Sequence, residues 1–328
     1  MTDLRGESGK VASQAVVPLQ VDAASGPEEV ISEKALETGG RSLGANAWRD
    51  LRRRPMFWIS LALIVLFALM AIFPQLFTSK DPNFADLTKA RQLPSEEALF
   101  GYDAQGYDLY TRTVYGARAS VSVGILATAF TLIFGSAVGI IAGYRGGWLD
   151  SVIGRIAEIF LAIPIFLGGL LFLFTFPNDI DTPFAVAVGK VAFVIAILAW
   201  PTITRLMRAS VLQVKPNDYV QAARALGASP WRIINAHILP NSVASVIVVS
   251  TINLGVFISL EASLSFLGVG LQPPVISWGN MISDVSGLGL IRAAPHMLLF
   301  PSLFLSLTVL SFIMLGDVVR DALDPRLR

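Results

Sequence analysis

Five ionisable side chains, Glu158, Lys190, Arg205, Glu261 and His296, interrupt stretches that are otherwise apolar. A charge lodged in such a stretch lines a path for an ion or solute, holds a charged group of a cargo, or pairs with a helix end. Other chemistry has little to work with. The chain has no cysteine, which removes disulfides, thiolate metal sites and cysteine nucleophiles together. His237 and His296 are its two histidines, with no His-Glu-x-x-His between them, so zinc and Ser–His enzymes lack their parts. Gly-Lys occurs twice, as Gly9-Lys10-Val11 and Gly189-Lys190-Val191, and neither ends a phosphate-binding loop in Ser or Thr. The chain is expected to hold no cofactor, and any ATP and Mg²⁺ chemistry must belong to a partner.

The elements that place these charges follow from composition. Of 328 residues, 54% are hydrophobic and 15% charged, and the mean hydropathy is +0.63, so the solvent is lipid. A net charge of +1 gives no ground for a nucleic-acid partner. Residues 1–47 lack any sustained apolar period and read as a disordered tail. A helix crosses the hydrocarbon core with about 20 apolar residues. Candidates are 56–77, 119–143, 156–177, 184–206, 241–262 and 296–317, which predicts an all-α polytopic protein with six transmembrane helices. The stretch 262–283 is uncharged too, but Gly268, Gly270, Pro273 and Pro274 make it a loop or re-entrant segment lining protein or water. With both termini inside, fourteen Lys and Arg flank the spans on the inner face and six on the outer. The expected orientation is N-in and C-in.

That orientation puts "QAARALGASPWRIINAHILP", residues 221–240, in the cytoplasm. Pro216 is expected to open a short helix and Gly227 to close it in a left-handed conformation. Ser229-Pro230 then starts a second helix as N-cap and N1. Ala222, Ala223 and Ala225 thin the first helix, and Trp231, Ile234 and Ile238 form an apolar stripe on the second. Such a pair either docks in a partner's groove or rests on its own bundle.

The order Gln221-Ala222-Ala223, then Leu226-Gly227, then His237-Ile238-Leu239-Pro240 resembles the cytoplasmic motif of ABC importer permeases, with Gln221 where the family usually has Glu. "FGYDAQGYDLYTRTVYGARASVSVG" (100–124), "AGYRGGWLDSVIGRIAEIFLAIP" (142–164), "EASLSFLGVGLQPPVISWGNMI" (261–282) and "LGDVVRDALDPRLR" (315–328) are similar to the C-type subunit of the dipeptide and oligopeptide permeases. The resemblance covers about residues 48–328 and implies a type I ABC importer permease fold in the bacterial cytoplasmic membrane. It implies a second homologous permease, two ATP-binding subunits, an extracytoplasmic substrate-binding protein and a peptide substrate, with nickel chelates or glutathione as alternatives. The implied organisation is the tail at 1–47, the first transmembrane helix and an extracytoplasmic segment at 48–118, and a core of five transmembrane helices at 119–328. The coupling loop is 210–240, with Gln221, Ala222, Ala223, Leu226, Gly227, Trp231, Ile234, Ile238 and Pro240 meeting the ATPase.

Other sites stay open between two uses each. Lys190 either snorkels to the outer interface or lines the translocation pathway. Glu261 either holds a peptide's amino group or ties helix ends, and Asn253 bonds either a neighbouring helix or a peptide backbone. Asp103, Asp108, Arg112 and Arg118 form a solvated amphipathic surface or dock the binding protein. An ion-gradient-driven secondary transporter is the reading of another class, and it lacks the inverted repeat that such folds display.

Overall fold

The computed structural model describes residues 43–323, with side chains from residue 48 onward. Residues 1–42, most of the stretch read as a tail, lie outside the described residues, and helix α1 (Leu43–Arg53) begins inside that stretch. The long helices are α2 (Pro55–Ile72), α3 (Leu109–Arg145), α6 (Phe184–Val214), α8 (Pro230–Phe266) and α11 (His296–Leu323), each long and apolar enough to cross a membrane. Between them lie α4 (Gly147–Ala162), α5 (Ile165–Thr175), α7 (Asp218–Ala225), α9 (Trp278–Ser283) and α10 (Leu288–Ala293).

The helix ends obey local chemistry. Pro55 sits in the first turn of α2, where a missing N–H is tolerated. Asp108 caps α3 by accepting from the Thr111 N–H at 2.8 Å. Gly146, at φ +67°, ends α3 in a conformation that other residues resist. At 37 residues α3 is about 55 Å long, more than a bilayer core needs, so it projects beyond the membrane.

The run predicted as a third span, 156–177, is two helices, α4 and α5, bent by 78° at Ile163-Pro164. Pro164 forces Ile163 into an extended conformation and cannot continue the ladder. The spans therefore number five, or six when the bent pair counts as one.

Lipid tails are as apolar as leucine, so helix association here rests on close packing. The α3–α6 seam shows how close. Gly135, Gly139 and Gly143 recur every fourth residue on one face of α3, and a Cβ at Gly139 would lie 2.6 Å from the Thr204 carbonyl oxygen. Thr204 Oγ1 donates to the Gly135 carbonyl at 3.0 Å across the same seam. Gly124 admits Ile258 of α8 to α3, and Gly316 of α11 admits Ile252 of α8.

Of the loop or re-entrant segment expected at 262–283, residues 267–277 are non-helical, with Gly270, Leu271, Val275 and Ser277 buried, whereas 262–266 finish α8 and 278–283 form α9. The Val269 and Gly270 N–H groups both bond the Leu264 carbonyl, and Ser265 Oγ accepts from the Leu271 N–H at 2.9 Å. Fully buried Trp278 pins the segment to α3 by donating from Nε1 to the Thr113 carbonyl at 2.8 Å. Backbone polar groups at this depth are thus met inside the chain, as the cost of leaving them bare demands.

Candidate functional site

The loop at 216–240 is held from below and apolar above. Lys215, just past α6, donates to the Tyr144 carbonyl at 2.7 Å, and Gln221 Nε2 closes the loop on the Lys215 carbonyl at 2.9 Å. The amide at position 221 therefore has a partner inside the chain. Helix α7 starts at Asp218, two residues later than Pro216 suggests, with Asp218 in its first turn and Arg224 in its last, as the helix dipole favours. Gly227 takes φ +79°, and the N–H groups of Leu226, Gly227 and Ala228 bond the last carbonyls of α7.

Ser229 Oγ then accepts from the Arg232 N–H at 3.4 Å and Pro230 begins α8, as the spacing predicts. Beyond Pro230 the chain departs from the expected second short helix. Residues 230–266 run as one helix through a π turn at Ile234–Ile238, in which the Leu239 N–H reaches the Ile234 carbonyl. The wider turn makes room for the Pro240 ring, which would otherwise strike the Ala236 carbonyl. The last part of the loop, from Pro230, is thus continuous with a helix long enough to cross the membrane.

The stripe Trp231, Ile234, Ile238 divides by depth. Ile238 is fully buried with Val220, Ile233, Met207 and Val211 and fastens the loop to the bundle, whereas Ile234 is half-buried. Trp231 is 74% exposed and Leu226 88%. Ala222 and Pro240 are exposed and Ala223 half-buried. The outward surface is therefore a Leu226/Trp231 knob beside a thin alanine face, and Leu226 carries more of it than the periodicity of the second helix implies.

The membrane-embedded candidates separate. Lys190 Nζ donates to the Pro177 carbonyl at 2.9 Å and lies 3.4 Å from that of Phe176, capping the last turn of α5. Glu261 is fully buried, takes the Ser265 hydroxyl at 2.7 Å on Oε1, and faces the hydroxyls of Ser120 and Ser277, although Oε2 lacks a hydrogen bond of normal length. It sits where α3, α8 and the 267–283 segment converge. Asn253 borders a groove of about 290 Å³ with Thr202, Phe257 and the α4–α5 break at Ile163-Pro164.

The outer charges separate likewise. Asp103 takes the Gln105 and Tyr107 N–H groups and faces Arg112 at 3.7 Å, and Arg112 lies 4.2 Å above the Tyr107 ring. Asp108 caps α3 and binds Lys80 at 2.6 Å. Nearby, the hydrogen bond from Lys89 holds the Glu97 carboxyl below the usual carboxylate range. Arg118 is exposed, rests against the Phe184 ring at 5.5 Å, and borders a groove with Asn83, Tyr115 and Ile276.

Motif reading passed over two contacts, of which one had a signal in the sequence. Gly-x-x-x-Gly-x-x-x-Gly at 135–143 marks the α3–α6 seam. Arg208 grips Asp150 with two hydrogen bonds of 2.5 and 2.6 Å, tying the start of α4 to the end of α6. Nothing in their spacing, 58 residues apart, announces that pair.

Residues 135–328 match the model of the binding-protein-dependent transport system inner membrane component, and residues 42–94 match that of the N-terminal transmembrane domain of oligopeptide transport permease C. The chain belongs to this family of permeases. It is 37% identical over 306 residues to the oligopeptide transport system permease protein OppC of Bacillus subtilis (strain 168), covering 93% of this chain and 95% of the relative. It is 39% identical to the dipeptide transport system permease protein DppC of Alkalihalophilus pseudofirmus, covering 86% and 90%. The glutathione transport system permease protein GsiD of Pectobacterium atrosepticum is 35% identical, with 91% and 95% covered. This permease is a polytopic inner-membrane protein of all-α fold and the membrane component of its transport system rather than the ATPase.

Proposed function

We propose that this permease moves di- and oligopeptides inward as one of two homologous membrane subunits of an ATP-driven importer. A substrate-binding protein delivers cargo to the outer face, where Arg118 is an exposed cation able to meet a carboxylate on it. Two ATP-binding subunits sit on the inner face, and one takes the Leu226/Trp231 knob into a cleft. Both chain termini lie in the cytoplasm. The observation that carries this reading is that the exposed Trp231 stands on the same continuous helix that is long and apolar enough to cross the membrane, through the π turn before Pro240, with exposed Leu226 on the turn just before it. Closure of the ATPase pair displaces the knob, and α8 transmits that displacement into the membrane as a rigid-body tilt between two states of access.

Co-purification from mild detergent tests the assembly, comparing wild type with Gly227→Trp. Nothing lies within 4 Å of a Cβ at Gly227, so the substitution strains a left-handed turn and adds bulk outside the bundle. The expected result is an ATP-binding subunit and a second permease recovered with wild type, loss of the ATPase with the variant, and unchanged membrane insertion. Normal peptide uptake by Gly227→Trp would overturn the coupling assignment. Uptake surviving ATP depletion but collapsing with the ion gradient would favour a secondary transporter.

The relatives named for glutathione give a second cargo a specific basis, since glutathione is itself a short peptide. Competition between labelled glutathione and unlabelled dipeptide in the same vesicles separates the two.

A further inference from the structure

The exposed faces of the bundle are not alike. On α2 they carry Trp58, Ile59, Val65, Leu66, Leu69 and Ile72, as a surface bathed in lipid requires. On α6 and α8 one face carries instead the exposed Thr202, Gln213, Asn241 and Ser245 and the half-buried Ser210 and Asn253. These six recur at helical spacing on the side turned away from α3, since Thr204 of α6 and Ile258 of α8 are the residues that meet α3. They border two grooves along this pair of helices, of about 660 Å³ toward the 216–240 loop and about 290 Å³ beside the α4–α5 break. Three of the six have a side-chain hydrogen bond within the chain. Ser210 and Ser245 share one hydrogen bond at 3.1 Å and Asn241 bonds the His237 carbonyl, and no hydrogen bond joins Thr202, Gln213 or Asn253 to another side chain among the described residues. Amides and hydroxyls on an outward helix face are costly against hydrocarbon. Arg320 borders the wide groove at its end near the loop, and no charge borders the narrow one.

We propose that this face of α6 and α8 is the wall of a water-filled passage and that it meets cargo through uncharged hydrogen-bonding groups, which fit a peptide main chain whatever its side chains. The wall excludes Lys190 and Glu261, whose charges are spent on capping α5 and on the 267–283 segment. The peptide as occupant rests on the function proposed above.

The chain's lack of cysteine makes the test direct. Ser245→Cys, Asn253→Cys and Ile247→Cys are placed singly in the assembled importer in membrane vesicles. Ile247 is 44% exposed but lies two residues from Ser245, on the opposite side of the helix. A positively charged methanethiosulfonate is expected to label the first two at least about ten-fold faster than Ile247→Cys, because only a hydrated thiol ionises. Dipeptide present during the reaction slows labelling at Asn253→Cys. Rates equal to that of Ile247→Cys, or disulfide bonding to the second permease with the reagent shut out, would overturn the wall and make this face a helix interface. Rapid labelling in vesicles that take up no dipeptide would uphold the wall and refute the peptide. Asn253→Leu, which removes the amide's hydrogen bonds, should lower uptake of acidic, basic and neutral dipeptides by the same factor, and a loss confined to one side-chain class would refute main-chain recognition.

Discussion

At the scale of single residues, burial separates side chains that hold the permease together from those offered to something else. Ile238 and Trp231 lie seven residues apart on one rod, yet one is fully buried and the other mostly exposed. Truncating Ile238 to Ala would leave a cavity among Val220, Ile233 and Met207 and cost about 2–5 kcal/mol of fold stability. Trp231→Ala removes nothing the isolated chain uses, so its melting point in detergent should stay at the wild-type value. Where an exposed tryptophan fills a partner's pocket, its truncation costs about 2 kcal/mol or more, roughly thirty-fold in affinity. Titrating purified ATP-binding subunit onto both variants checks this. An affinity unchanged by Trp231→Ala would remove the knob from the interface. The paired charges obey the same logic: Asp103, Asp108 and Arg112 are spent on local geometry, whereas Arg118 is exposed and rests only on the Phe184 ring among the described residues.

At the scale of elements, the α3–α6 seam governs how the bundle holds. Backbone oxygen stands where a Cβ at Gly139 would go, so the helices must separate to admit even a methyl group. Gly139→Ala should destabilise the permease by about 1–3 kcal/mol and Gly139→Leu by more, read as a falling melting point and falling yield of assembled importer. Gly147→Ala is no control, because Gly147 adopts φ +63°, whereas Gly154→Ala on α4, with nothing within 4 Å, should be silent. Equal melting points for the Gly139 and Gly154 variants would show that the seam is loose. The long helices were legible in the sequence because each is a run of apolar residues, and Ser229-Pro230 and Gly227 declared the loop's turns. The bend at Ile163-Pro164 was not, because hydropathy sums over a window and is blind to where the backbone turns within it. The π turn before Pro240 escaped for a related reason. A proline there reads as a helix start, and only the packing of Ile233 and Ile238 shows that the helix passes through it. The pairing of Arg208 with Asp150 depends on how three helices assemble, which no local pattern encodes.

At the scale of the whole molecule, the bent pair α4–α5 decides which side of the membrane every later element occupies. Two contacts measure its reach. Asp150, in the first turn of α4, is held by Arg208 near one end of α6, while the last turn of α5 is capped by Lys190 near the other end. Positions 190 and 208 of a straight helix lie about 27 Å apart, close to the thickness of the hydrocarbon core. Despite its 78° bend the pair therefore reaches along α6 over about the thickness of a hydrocarbon core, the reach that a span needs. On the orientation proposed above, six spans would put the 177–183 turn outside and the 216–240 loop and both termini inside, the arrangement that the arginines at 52–54, 145, 155 and 320 favour. If the pair instead dipped in and returned, the turn would lie inside and the loop outside, beyond reach of any ATPase. Alkaline phosphatase, active only outside, and green fluorescent protein, fluorescent only inside, distinguish these when fused after Asp181 and after Leu323. Phosphatase activity at Asp181 and fluorescence at Leu323 are expected. The reverse at both sites would reduce the span count to five and withdraw the coupling role of the Leu226/Trp231 knob along with the orientation.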